Sequence, residues 1–178
     1  MVVIRWIIDD LLAHAPYPLR EDLDDLYREG IRAIISLERR PDRELAVIRS
    51  IGFDYLEVPV RDYTAPAVEQ LDEINAFIDR KREAGEPVLI HCFQAGRSGT
   101  ALAGYLIHRG SSFEMAVREV RSRIPGARAI ETSEQMEILM RYAGMRKHQG
   151  SRCSASQASD VIPGRIRRSN RRDASENR

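Results

Sequence analysis

The chain reads as an α/β fold: a mostly parallel central sheet of four to five strands, helices on both faces, and three helices after the last strand. Two observations predict it. Short apolar, β-branched runs alternate with amphipathic helical stretches up to residue 91, and such alternation is satisfied by parallel strands joined through helical crossovers. Beyond "PVLIH" the alternation stops and only helical patterns follow. The bulk numbers agree: 178 residues with 43% hydrophobic and 31% charged side chains suffice for one domain with a buried core and some extra chain.

The elements follow in order. "VVIRWII" is apolar and β-branched, a first strand. "LREDLDDLYREG" places Leu19, Leu23, Leu26 and Tyr27 on one helical face and stops at Gly30. "IRAIISL" has the pattern of a short buried strand. "PDRELAVIRSIG" opens with Pro41 in a first helical turn and closes on Gly52. "FDYLEVPV" is the next strand. "PAVEQLDEINAFIDRKREAG" again opens on proline and closes on glycine, with Leu71, Ile74 and Ile78 inward. "PVLIH" is the fourth strand. "SGTALAGYLIHRG", small and apolar, is a buried helix. "SSFEMAVREVRSRI" starts with a capping box at Ser111 and Glu114 and stops before Pro125; "TSEQMEILMRYAGMRKH" repeats that spacing at Thr132 and Gln135. Residues 1–148 are read as the domain. Residues 149–178, rich in Ser, Arg and Asn without an apolar face, are read as a disordered basic tail.

Charge and composition exclude several functions. The formal net charge is +1, but from Gly150 onward seven arginines face three acids, so the body is slightly acidic. That argues against a nucleic-acid-binding domain, while the tail is free to bind an acidic partner. No apolar run approaches the roughly twenty residues that span a bilayer. "MVVIRWIIDDLL" is interrupted by acids and followed by no small-residue cleavage site, so it reads as a strand and not a secretion signal. Cys92 and Cys153 lie in unlike settings, which fits a reducing, cytoplasmic location. No His/Cys/Asp cluster has metal-ligand spacing, and no cofactor is expected.

The chemistry concentrates in "HCFQAGRSGT", residues 91–100. In open α/β sheets ligands bind beyond the carboxyl ends of the strands, and this stretch carries Cys92 from such an end into a helix. A helix N-terminus offers unpaired N–H groups and positive dipole character to an anion. Gly96 and Gly99 are expected to let the backbone turn tightly, so that the N–H groups of Phe93, Gln94, Ala95, Gly96, Arg97 and Ser98 approach bound oxygens. Arg97 supplies a planar fork for two phosphate oxygens. The same field favours the nucleophilic thiolate form of Cys92. A lone cysteine after an apolar strand is often only a small buried hydrophobe, and His91 could be a core residue. Their convergence at one strand–loop–helix junction favours chemistry. Asp62 lies just past the carboxyl end of "FDYLEVPV", on the same sheet edge; aspartates at strand ends are usually turn formers, but Asp54 opens its strand and Asp72 lies inside a helix, so among these aspartates position favours Asp62.

The stretch resembles the signature of cysteine-dependent protein phosphatases, His-Cys-x-x-Gly-x-Gly-Arg-Ser/Thr-Gly. "RWII…LAHAPYP…DDLYREGIRAIISL", "VPVRDYTAP" and "VREVRSRIPGARAIETSEQ" extend the likeness, over about residues 4–147, to the small archaeal-type dual-specificity phosphatases. The resemblance implies a cysteine phosphatase-like fold and two-step hydrolysis of a phosphorylated protein or small aryl phosphate, without metal or cofactor. It implies Cys92 as nucleophile, Arg97 as phosphate ligand and Asp62, thirty positions before Cys92, as general acid. It further implies that Ser98 helps the thiolate leave and that His91 steadies the cysteine through hydrogen bonds. Gln135 would orient the water, although capping explains it equally well.

One departure stands out. Four residues separate Cys92 from Arg97, where the signature has five. A missing residue removes up to about 3.5 Å of reach and one cradle N–H. Two alternatives follow: a phosphate-binding pseudophosphatase with little turnover, and, ranked behind it, a rhodanese-like sulfurtransferase. Loops of six residues occur in the latter, but usually with glycine where this chain has Ala95, and sulfur transfer would need neither Asp62 nor Ser98.

Overall fold

The computed structural model describes residues 2–124 and 129–157. Five strands form one sheet: β1 (Arg5–Ile8), β2 (Leu12–Pro16), β3 (Ala33–Ser36), β4 (Asp54–Glu57) and β5 (Val88–Cys92), in the order β1-β2-β5-β3-β4. All neighbours are parallel except β1, which pairs antiparallel with β2 at the edge. Six helices complete the described chain: α1 (Arg20–Arg28), α2 (Asp42–Ile51), α3 (Val68–Ala84), α4 (Gly96–His108), α5 (Phe113–Arg123) and α6 (Ser133–Gln157). The expected mostly parallel α/β sheet is therefore present, with three helices after the last strand.

The strand absent from the sequence reading is β2, "LAHAP". Ala, His and Pro are poor strand formers, and its first four residues are buried without alternation, so neither propensity nor period marks it. Tertiary pairing makes it a strand. The chain reverses through Asp10, at φ 56, and β2 then lies parallel to central β5, with Leu12 opposite Val88 and Pro16 opposite Cys92. Pro16 ends the strand, where a missing N–H is tolerated.

The sheet divides the core. On one face Ala13, Ile34 and Leu89 pack with Leu23 and Leu26 of α1 and Ile48 of α2. On the other, Leu12, Ile35, Val88 and Ile90 meet the apolar faces of α3 to α6. Helix α4 is enclosed along almost its whole length, from Gly96 to Tyr105. A methyl at Gly104 would lie 2.9 Å from Leu71 Cδ2, so glycine there lets α3 approach α4 closely.

Helix ends correct one expectation. The residue capping α5 is Ser112, whose hydroxyl accepts from Met115 N, and not Ser111. Ser111 is already committed: its N–H donates to Leu106 O and that of Gly110, at φ 98, to Ile107 O, closing α4. At α6 the expected reciprocal pair is present. Gln135 N donates to Thr132 Oγ1 at 3.2 Å, and Thr132 N to Gln135 Oε1 at 3.4 Å. Helix α6 runs on to Gln157, nine residues into the expected tail. The remainder of the expected tail lies outside the described residues. Among the described residues no helix is long and apolar enough to cross a membrane.

Candidate active site

Because β2, β5, β3 and β4 are parallel, the segments that follow them emerge on one edge of the sheet. Central β5 delivers Cys92 there, flanked by the turns after Pro16 on one side and Ser36 on the other. Cys92 is a free thiol, 1% exposed, with Sγ 3.2 Å from Ser98 Oγ on the first turn of α4. The hydroxyl also lies 3.4 Å from Ala95 O. Ala95 is the residue before the helix, which begins at Gly96, so Arg97 already sits inside α4.

Arg97 is the hub. Its guanidinium is buried and donates from Nη1 to Val60 O at 2.7 Å and from Nη2 to Glu38 Oε1 at 2.6 Å. Asp62 Oδ1 stands 3.1 Å from the same Nη2. Glu38 Oε1 also accepts the backbone N–H of Phe93 at 2.6 Å. One carboxylate oxygen thus fixes both the first loop N–H after the cysteine and the orientation of the arginine. Charge-assisted hydrogen bonds of this kind are short and strong.

The remaining predicted residues sort clearly. The Phe93 ring is 66% exposed, while Ala95 and Ser98 are buried. Gly96 and Gly99 are not needed for left-handed backbone, since neither has positive φ. They are needed for space. A methyl at Gly96 would come within 2.6 Å of a Glu131 carboxylate oxygen, and one at Gly99 within 3.1 Å of Ala129 Cβ and 3.2 Å of Ala129 Cα. Gln135 is fully buried; its Oε1 accepts from Glu131 N at 2.8 Å and its Nε2 donates to Thr64 O at 3.0 Å. It caps α6 and ties down the turn that carries Asp62.

His91 is placed differently from expectation. Its ring makes no hydrogen bond to Cys92 among the described residues. Nε2 lies 3.4 Å from Arg40 Nη2, and since arginine only donates, this nitrogen accepts. The ring meets Tyr17 edge-on, with centroids 5.2 Å apart. The reason is the pleat: β5 sends alternate side chains to opposite faces, so His91 points away from Cys92, into the side that holds α1 and α2. Burial, then the Arg40 charge, hold His91 well below its ordinary titration range. His14, on adjacent β2, is pushed down to about 4 by burial and by Arg5, against a smaller opposing contribution from the Gln94 backbone.

Sequence reasoning missed Glu38, His14, Tyr17, Arg40 and Glu131. Glu38 had one available signal, since it follows a strand that ends on the cysteine's edge. The others act through packing that no spacing announces. Among the described residues no three His, Cys, Asp or Glu side chains converge in a way that could hold a metal ion.

Comparison with known proteins supplies the family. The model of the family described as "Polymorphic toxin system, DSP-PTPase phosphatase" matches residues 13–111, more than half of the chain. The crystal structure of Tk-PTP in the active form is similar at 37% identity and a TM-score of 0.72, covering 79% of this chain and 96% of that one. PTPMT1 shares the fold at a TM-score of 0.71 and 21% identity, covering 84% of this chain and 99% of that one. Two uncharacterized proteins of Methanocaldococcus jannaschii are 36% and 37% identical over 93 and 92 residues, 52% and 51% of this chain. Those matches span only 57% and 60% of the relatives' own length.

Proposed function

The chain belongs to the DSP-PTPase family of small dual-specificity phosphatases, and on that premise we propose that it hydrolyses phosphotyrosine, with phosphoserine and phosphothreonine as further substrates, through a phosphocysteine intermediate. The observation that carries this reading is the convergence on Arg97 of the Cys92 loop and Asp62, with Asp62 Oδ1 3.1 Å from the guanidinium.

The steps follow from the residues present. The Cys92 thiolate attacks phosphorus in line, and the bond from phosphorus to the ester oxygen breaks. Asp62 in its acid form gives that oxygen a proton, so an alcohol or phenol departs. Loop N–H groups and Arg97 hold the equatorial oxygens as charge redistributes. A water molecule then gives a proton to Asp62 and attacks phosphorus. The S–P bond breaks, phosphate leaves, and Ser98 Oγ, 3.2 Å from the sulfur, donates to the departing thiolate. Glu38 positions Arg97 and the Phe93 N–H, and Gln135 positions the Asp62 turn. The reaction needs Cys92 reduced, as in cytoplasm.

Hydrolysis of an aryl phosphate by wild type and Cys92→Ser tests the proposal. Turnover that persists in chelator, stops with vanadate and vanishes in Cys92→Ser is expected. A wild-type rate equal to the Cys92→Ser background overturns it. Retained oxyanion binding would then leave a phosphate-binding module.

A further inference from the structure

Beside the phosphate loop lies a second cavity, of about 300 Å³, bounded by the first turns of α1 and α2. Its wall toward the loop is shared. Tyr17 meets His91 edge-on, and Arg40 stacks 3.8 Å over the Tyr17 ring while reaching His91 Nε2. The cavity and Cys92 are thus separated by one aromatic ring and the residue before the cysteine. The topology explains the adjacency, since the cavity is framed by the turns after β2 and β3, the two strands that flank β5.

Its lining is amphipathic. Leu19, Leu23 and Val47 give it apolar surface, and Leu19 remains 55% exposed at the rim. Three arginines line it against one carboxylate, Glu44. That carboxylate is committed, accepting from Tyr17 OH at 3.0 Å and Arg40 Nη1 at 3.2 Å. The nearby Asp22 carboxylate accepts the N–H of Leu19. Arg20 and Arg43 are exposed, and neither has an ion-pair partner among the described residues. Two uncommitted guanidinium groups over an apolar floor suit a short aliphatic chain ending in a carboxylate.

We propose that this cavity is a specificity subsite for a glutamate or aspartate side chain flanking the phosphorylated residue of the substrate, with Arg20 and Arg43 as its ligands. The inference rests on the phosphatase reading and defines its substrate class as acidic phosphopeptides. Exposed ion pairs are individually modest and shrink with salt, so an effect of about fivefold at low ionic strength is expected.

The test measures binding, so that it does not depend on turnover. Cys92→Ser protein is titrated with a fluorescent phosphotyrosine peptide carrying glutamates within three residues on both sides, and with its glutamine counterpart. The parent should bind the glutamate peptide about fivefold more tightly. Arg20→Gln/Arg43→Gln in the same background should erase that preference and leave affinity for the glutamine peptide unchanged. A control pair on exposed arginines elsewhere, Arg80→Gln/Arg118→Gln, should keep it. Lack of preference in the parent, or equal loss in both double variants, overturns the subsite while leaving the phosphatase reading intact. Failure to bind either peptide removes both.

Discussion

The loop at Cys92 and the turn at Asp62 meet at one guanidinium but are built in opposite ways. Cys92, Ala95, Arg97 and Ser98 are all buried, and their position is enforced by β5, α4 and the Glu38 carboxylate. The Asp62 side chain is 54% exposed and its neighbour Tyr63 is 55% exposed, at φ 60. That turn is fastened mainly at its flanks, by Gln135 Nε2 to Thr64 O and Gln70 Nε2 to Pro59 O. The difference teaches a division of labour. The proposed nucleophile and its proposed anion ligands are placed by the core, so changes there disturb folding as well as chemistry. The proposed acid is placed by a surface turn, so changes there should touch chemistry alone.

The sharpest way to break this contrast is Asp62→Asn. It should lower turnover of a substrate with a poor leaving group by about 10²–10³, as expected for a general acid. KM and the thermal transition should stay unchanged, and the loss should shrink for leaving groups that need no proton. An unaltered rate, or a lowered Tm, would end the distinction between the two regions.

The buried side has its own signature in acid. His14 titrates near 4 when folded and near 6.5 when unfolded, so below pH 6.5 the unfolded chain binds the extra proton. Stability is therefore full above pH 6.5 and falls as pH drops toward 4, by roughly 3 kcal/mol from this group. Urea midpoints at pH 7 and pH 4.5 measure it. A His14→Leu variant should show a flatter profile, and an equally steep one would assign the acid sensitivity elsewhere.

The short loop gives the next effect. Inserting glycine between Gln94 and Ala95 leaves the start of α4 at its present residue and adds one N–H to the cradle. Single-turnover hydrolysis should rise by about tenfold, given what one oxyanion donor contributes. A falling rate would show that the six-residue loop, with Arg97 held by Glu38, is the working geometry.

The smallest change tests the packing around the loop. Gly99→Ala presses a methyl against the backbone of Ala129 and Ile130. Overpacking outweighs the gain in helix propensity, for a net loss of about 1 kcal/mol. Chemical denaturation would register it. No loss would mean that residues 129–130 yield freely, contrary to a rigid setting for the nucleophile.

The sequence by itself determined the parallel α/β architecture, because strand and helix periods are local and repeat along the chain. It located the Cys92–Ser98 loop for the same reason: strand, cysteine, glycines and arginine lie within one contiguous stretch. Asp62 was reachable because the parallel strands β4 and β5 end on the same edge of the sheet. Tertiary structure alone decided the rest. It made "LAHAP" a strand, through pairing with β5 that its own propensity opposes. It turned His91 toward Arg40 and Tyr17, by the alternation of the pleat against helices chosen elsewhere in the chain. It joined Glu38 to Arg97 across 59 positions, and it gave Gly96 its reason in the Glu131 carboxylate, 35 positions away. Such contacts depend on which elements become neighbours in space, and sequence spacing carries no record of that.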